Sequence, residues 1–324
     1  MFQDKILSFM YTLSMKIIPV DCNYVETEFA MSYLLLDSER KRAFFIECNT
    51  NYAIPYLVQA VEREGLSRDD VEGLIITHVH LDHAGGAGLF LKEFPKAKLY
   101  AHPRAARHAI DPSKLIASAT QVYGEAFMKK LYGEILPCPA ERVVVLEDGA
   151  SVEWSGGRLE TRHTRGHANH HLCVIEPQTK TLFSGDSFGV AYPKIREKHG
   201  LVILVSTSPT DFDGAEALKT IEWIQSVHPL RVALTHFGFI EENEIGEAAR
   251  QLKDQLRFSM ELVDEIRCAP EGLSVETVRD RLRDKTVSYY SQKGIDLDAE
   301  DLKHLSIDLD VNAQGLVFAA HAHR

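Results

Sequence analysis

The stretch "IITHVHLDHAGG", residues 75–86, sets three histidines and an aspartate within six positions, between an apolar run and a pair of glycines. Histidine is an uncommon residue, so this density calls for a chemical cause. Residues 73–76 read as a short apolar strand. Period-two geometry at its end points His78 and His80 to one face. Asp82 and His83 come where the chain turns into a helix, and the glycines after them permit a tight turn. Four donors thus converge near one strand end. Neutral imidazole and carboxylate are the ligands that divalent zinc, manganese or iron accept. A proton relay does not need four such groups together, and like groups so crowded are costly without a cation between them.

Further donors lie downstream, each at a strand end or turn. "HTRGHANHH", 163–171, places His167 after a glycine turn. "LFSGDSFG", 182–189, ends an apolar strand with Asp186, and "VALTHFG", 232–238, ends another with His236. Donors that each follow a strand gather at one rim of a sandwich, where loops on a rigid scaffold carry function. The rest of the chain supplies that scaffold. Residues 31–36 and 43–46 pair around the charged turn 39–42, and residues 53–64 have helical spacing closed by Gly65. Short strands follow at 143–146, 151–154, 159–163, 172–175, 181–183 and 232–234. Asp213 and Glu216 form a capping-box pattern that opens a helix. Strands mixed with helices in two successive halves predict a layered α/β sandwich. From Ile245 onward a long amphipathic helix is expected, then a second one capped by Ser274. Residues 302–318 fit both a helix and a strand, with helix favoured.

The series His-x-His-x-Asp-His, Gly-His, Gly-Asp and a late post-strand His resembles the metallo-β-lactamase superfamily, in its poorly characterised cytosolic branch. Order and spacing match from about residue 20 to 240. The resemblance implies a four-layered αβ/βα sandwich with a helical C-terminal extension. The domains would be an N-terminal extension at 1–14, the fold domain at 15–240 and mainly helical residues at 241–324. It further implies that His78, His80 and His167 bind one metal, that Asp82, His83 and His236 bind a second, and that Asp186 bridges both. Two divalent ions, zinc first and iron or manganese as alternatives, would acidify a bridging water to a pKa of about 7 and so make a hydroxide nucleophile. Asp82 would orient that hydroxide and carry a proton to the leaving group.

Four residues are substrate or supporting candidates. His170 and His171 lead into a strand, so alternation turns one toward the site and the other away; the plainer reading is a partly exposed pair. Tyr192 lies in the loop after Asp186, where a phenol either meets a substrate oxygen or merely covers the site. Glu47, in "FFIECNT", stands where the superfamily has an Asp-Thr-Gly turn, and is read as a partner of a histidine ligand.

Composition limits the function classes. The chain of 324 residues carries 47 acidic against 36 basic residues, a net charge of −11, so a polyanion such as nucleic acid is disfavoured. Five scattered cysteines without a C-x-x-C pair suit reduced thiols in the cytoplasm. The N-terminus makes a poor signal peptide, and a membrane span is not expected. The expected activity is therefore hydrolysis of an ester, thioester, lactone or similar small-molecule bond. The alternative is an oxidoreductase resembling persulfide dioxygenases, which share the first motif but use a single iron held by two histidines and an aspartate. The helices after residue 240 leave a homodimer open.

Overall fold

The computed structural model describes residues 15–207, 209, 211–269 and 272–322, with the side chains of 122 and 123 left aside. The N-terminal extension expected over 1–14 lies outside the described residues. Two compact units make up the chain. The first runs through His163 and adds His170–Gly185 and Leu230–Phe239; the second takes Thr164–Asn169, Asp186–Pro229 and the residues from Ile240 onward.

The first unit is built on two six-stranded sheets, all but Ile240 and Glu241 at the end of the last strand falling within it. One contains, in spatial order, β1 (Met15–Asp21), β2 (Met31–Asp37), β3 (Arg42–Ile46), β4 (Val71–Ile75), β5 (Lys98–Ala101) and β6 (Val143–Val145). The other runs from β7 (Ser151–Trp154) through β8 (Gly157–His163), β9 (Leu172–Glu176), β10 (Thr181–Gly185) and β11 (Arg231–Leu234) to β12 (Gly238–Glu241). Both are mixed: β1–β2–β3 pair antiparallel and β3–β4–β5–β6 parallel, while β10 pairs antiparallel with β9 and parallel with β11.

Strand β3 shows how the layers arise. Alternate side chains leave a strand on opposite faces. Phe45 meets Phe90 edge-to-face at 5.4 Å and Phe94 at 5.8 Å on the helical side. Its neighbour Phe44 meets Trp154 of β7, at 5.7 Å, on the side of the second sheet. Tyr33 of β2 likewise packs on Phe183 of β10 at 5.3 Å. The helical layer comprises α1 (Ile54–Arg63), α2 (Leu81–Ala84), α3 (Ala87–Glu93), α4 (Pro103–Ile110), α5 (Ser113–Tyr123) and α6 (Glu125–Tyr132). Leu57, Val61, Phe90, Phe94, Ala105 and Ala106 bury its inner face in the core shared with β2–β5. Each such phenylalanine contributes about 1.5–3 kcal/mol of burial. The β2–β3 turn is closed by Asp37, which accepts from the amides of Glu39 and Arg40 and pairs with the Arg40 guanidinium at 2.7 Å.

The glycines after His83 have a different role from the one expected. Gly85 and Gly86 hold ordinary right-handed dihedrals (φ −58° and −85°), so no conformational freedom is being used. A Cβ at Gly85 would meet the Leu81 carbonyl at 2.4 Å, and one at Gly86 the Thr50 carbonyl at 2.8 Å. Glycine is required there by close backbone approach, not by turning.

The second unit carries α7 (Pro193–His199), α8 (Gly214–Ser226), α9 (Glu242–Cys268), α10 (Val275–Ser291), α11 (Ala299–His304) and α12 (Ser306–His321). Asp213 caps α8 through the amides of Ala215 and Glu216. Glu216 itself reaches Lys219 at 2.7 Å, so only half of the anticipated capping box forms. Ser274 caps α10 on the Thr277 amide. Residues 306–321 are helical: Leu309, Ala313 and Leu316 share a buried helical stripe. Among the described residues no helix is long and apolar enough to cross a membrane.

Burial makes the thiols testable. Cys22, Cys48, Cys138 and Cys173 are buried and Cys268 is exposed. Desolvation pushes the Cys22 and Cys48 thiols well up and Cys138 to about 12. Since thiolate is the reactive form, Ellman's reagent should titrate one thiol quickly in the native protein and all five after denaturation. Rapid native reaction at several sites would contradict this packing.

Candidate metal centre

Strand β4 ends at Ile75, ahead of Thr77 and the motif histidines. His78 and His80 therefore stand in an irregular link between β4 and α2, and strand alternation does not orient them as the sequence suggested. They approach all the same, with His78 Nε2 2.9 Å from His80 Nδ1. His80 has extended backbone (φ −60°, ψ 148°) and is the residue from which α2 starts, and Asp82 and His83 follow on that short helix.

Glu47 organises these rings. It follows β3 with a left-handed φ of +66° and is almost wholly buried. Its Oε1 accepts from His83 Nδ1 at 3.1 Å and from the Thr77 hydroxyl. With its proton on Glu47, the Thr77 oxygen accepts from His78 Nδ1 at 3.0 Å. One carboxylate thus places the Nδ1 protons of two histidines and leaves each Nε2 as the lone-pair nitrogen, the tautomer that metal coordination needs. Two residues on, Asn49 donates its side-chain amide to the Asp82 carbonyl at 2.6 Å and its backbone amide to the His83 carbonyl at 3.0 Å. Thr77 and Asn49 carry no sequence signal that a single chain reveals. Glu47→Gln should keep the fold and weaken metal binding by about 10–100-fold, the usual loss when a supporting carboxylate is altered. Competition with a chromophoric chelator measures this, and an unchanged affinity would contradict the role.

Three donors of the first unit meet closely: Asp82, His83 and His236 place one ligand atom each within 4.8 Å of one another. The Asp82 Oδ2 lies 3.4 Å from His236 Nε2 and 3.9 Å from His83 Nε2. His236 donates Nδ1–H to the Phe29 carbonyl at 2.9 Å, so its Nε2 is also the lone-pair nitrogen. Donors bonded tetrahedrally at about 2.0–2.1 Å to one zinc lie roughly 3.3–3.4 Å apart. The Asp82–His236 pair stands at that separation and the Asp82–His83 pair about half an ångström beyond it, a donor set of the kind a divalent cation draws together. His83 and His236 are buried, while the Asp82 side chain is 26 % exposed, which leaves it the solvent-facing member.

His170 and His171 do not split to opposite sides. Their ring centroids lie 6.0 and 5.0 Å from that of His78, and His170 also lies 5.3 Å from His80. Both precede β9, His170 in a turn and His171 in the irregular position just before the strand, where strand alternation has no force. Gly185, with φ +50°, ends β10 beside them: a Cβ there would meet Thr77 Oγ1 at 2.4 Å and His171 Nε2 at 2.5 Å.

The second unit holds the remaining pair. His167 Nε2 lies 3.5 Å from Asp186 Oδ2. His167 donates Nδ1–H to the Ser206 carbonyl at 3.2 Å, and the Ser206 hydroxyl donates to Asp186 Oδ2 at 3.3 Å. Ser206 too was beyond sequence reasoning. Tyr192 is fully buried, and its hydroxyl donates to Asp308 Oδ1 at 3.0 Å. This bond ties the residue ahead of α7 to α12.

Two mixed sheets flanked by helices, with histidine and carboxylate donors after the strands, define an α/β-sandwich protein with a candidate metal site. The chain belongs to the Metallo-beta-lactamase superfamily, whose family model matches residues 37–255. It is similar to the metallo-beta-lactamase fold-containing protein ST1585 of Sulfurisphaera tokodaii, 24 % identical over 200 residues that cover 60 % of this chain and 72 % of the relative. The solved structure of ST1585 matches with a TM-score of 0.62 at 20 % identity, covering 93 % of this chain and 97 % of that one. The metallo-beta-lactamase family protein TTHA1429 from Thermus thermophilus matches with a TM-score of 0.65 at 19 % identity, covering 96 % of this chain and 93 % of that one. A hydroxyacylglutathione hydrolase of Aeromonas hydrophila is 26 % identical over 117 residues, 36 % of this chain. The chain spans only about a third (33 %) of that hydrolase's length. The fold is accordingly the αβ/βα sandwich of the superfamily with C-terminal helices.

Proposed function

We propose that the protein is a binuclear metal-dependent hydrolase acting on an ester, thioester, lactone or similar bond of a small molecule in the cytoplasm. The observation that carries this reading is the Asp82–His83–His236 group, whose donor atoms stand at cation-sharing separations with both imidazoles locked in the coordinating tautomer. By the superfamily pattern His78, His80 and His167 would hold the partner ion, with Asp186 shared. Bound divalent ions supply water ionised near neutral pH and polarise the scissile carbonyl. Asp82, the most solvent-accessible member of the set, would hold a proton and pass it to the leaving group. Glu47, Thr77 and the Phe29 carbonyl keep the rings aimed. Thioesters are favoured among substrates because the partial relatives include hydroxyacylglutathione hydrolases.

The test is elemental analysis of the purified protein together with hydrolysis of p-nitrophenyl acetate, a lactone and S-lactoylglutathione. About two zinc ions per chain and chelator-sensitive turnover of at least one substrate are expected. A second reading stays in view because two histidines and a carboxylate also suit mononuclear iron. One iron per chain, with oxygen consumed on glutathione persulfide and no hydrolysis, would replace the proposal by that one.

A further inference from the structure

Ser206 orients both donors of the second unit, through its carbonyl to His167 and its hydroxyl to Asp186. The peptides on either side of it are held by a single side chain. Asn312 of α12 accepts the Thr207 amide on Oδ1 at 2.7 Å and donates Nδ2–H to the Val205 carbonyl at 2.8 Å. The Thr207 hydroxyl adds a bond to the Asn312 carbonyl at 2.9 Å. Asn312 is 4 % exposed and Thr207 fully buried, so these bonds form away from water.

Helix packing does not call for asparagine here. The neighbours on its buried stripe are Leu309, Ala313 and Leu316, and an apolar residue would complete it. A buried amide is kept only when its hydrogen bonds are made. Those of Asn312 go to the two residues that flank Ser206. A segment gripped at both neighbours leaves the residue between them little freedom.

We propose that Asn312 is a positioning residue of the metal centre: by clamping Val205 and Thr207 it aims Ser206, and through Ser206 it sets His167 and Asp186. The C-terminal helix is then part of the site rather than an appended support. This rests on reading His167 and Asp186 as metal donors.

The test compares Asn312→Ala with Tyr290→Phe. Tyr290, on α10, donates to the Ile203 carbonyl at 2.6 Å, so its variant loosens the same segment three residues before Ser206 while both Asn312 bonds stay in place. Zinc affinity is read by chelator competition, ligand geometry by the absorption bands of the cobalt-loaded protein, and folding by circular dichroism. Asn312→Ala should weaken at least one zinc ion by about ten-fold, the lower end of the loss when a ligand's hydrogen-bonding partner is itself altered, and shift the cobalt bands. Tyr290→Phe should leave both at wild-type values. Should Asn312→Ala not fold, Asn312→Asp, which keeps the acceptor for Thr207 and loses the donor to Val205, is judged on the same readouts. Wild-type affinity and spectrum in the Asn312 variant overturn the inference, and so does an equal loss in Tyr290→Phe. A wild-type protein that takes up neither metal is a separate result: it defeats the metal reading, and this inference with it.

Discussion

The His80→Ala variant is expected to lose more than about 100-fold of any hydrolytic turnover, since altering a ligand's mere support already costs 10–100-fold in affinity or activity. Its fold should persist. His80 is only partly buried and lies in the irregular link before α2, so removal of its ring opens no core cavity. Substitutions at such positions usually stay within about 0.5 kcal/mol. The ring packs on His78 and His170 at 4.4 and 5.3 Å, contacts that alanine gives up with little backbone consequence. Turnover of the most reactive ester, zinc stoichiometry and thermal melting together check this. Full activity at unchanged metal content would remove His80 from the site; a collapsed melting transition would make it a structural residue.

Phe45→Ala should be the opposite case, a large stability loss with the site chemistry untouched in whatever remains folded. Phe45 is fully buried between Phe90 and Phe94, and truncating such a ring costs about 3–5 kcal/mol through lost burial and the cavity left behind. Urea unfolding followed by circular dichroism should show the midpoint falling sharply. Glu47→Gln should show the reverse pattern, with metal affinity reduced more than stability. If Phe45→Ala unfolded at the wild-type urea concentration, the packing described between β3 and α3 would be wrong.

Much of the scaffold was legible in local sequence. The β2–β3 hairpin announces itself by two apolar runs around a charged turn, and Asp37 closes that turn as such residues do. The long α9 is legible because its apolar residues recur at helical spacing over many turns. Where the sequence misled, the rule applied was sound and the element was different. Sequence pattern puts His78 and His80 on a strand end, but β4 stops at Ile75 and their approach is set by tertiary contacts. Alternation predicts opposite faces for His170 and His171, but residues ahead of the strand obey no period of two. Tyr192 looked like a loop phenol, and only folding shows Asp308, distant in sequence, waiting for its hydroxyl.

The sequence by itself determined the kinds of donor and their order, because ligand chemistry resides in residue types and strand ends in apolar runs. It determined the layered α/β class for the same reason: burial patterns are local and periodic. Only the tertiary structure decided which nitrogen each histidine presents, since that depends on what faces the opposite nitrogen: Glu47 for His83, Thr77 for His78, the Phe29 carbonyl for His236 and the Ser206 carbonyl for His167. It also decided that glycine is needed at 85 and 86 for want of space and that an asparagine near the C-terminus grips the segment around Ser206. Such pairings are made between residues far apart in the chain. Their energy comes from burying polar groups together, and no local pattern of residues records it.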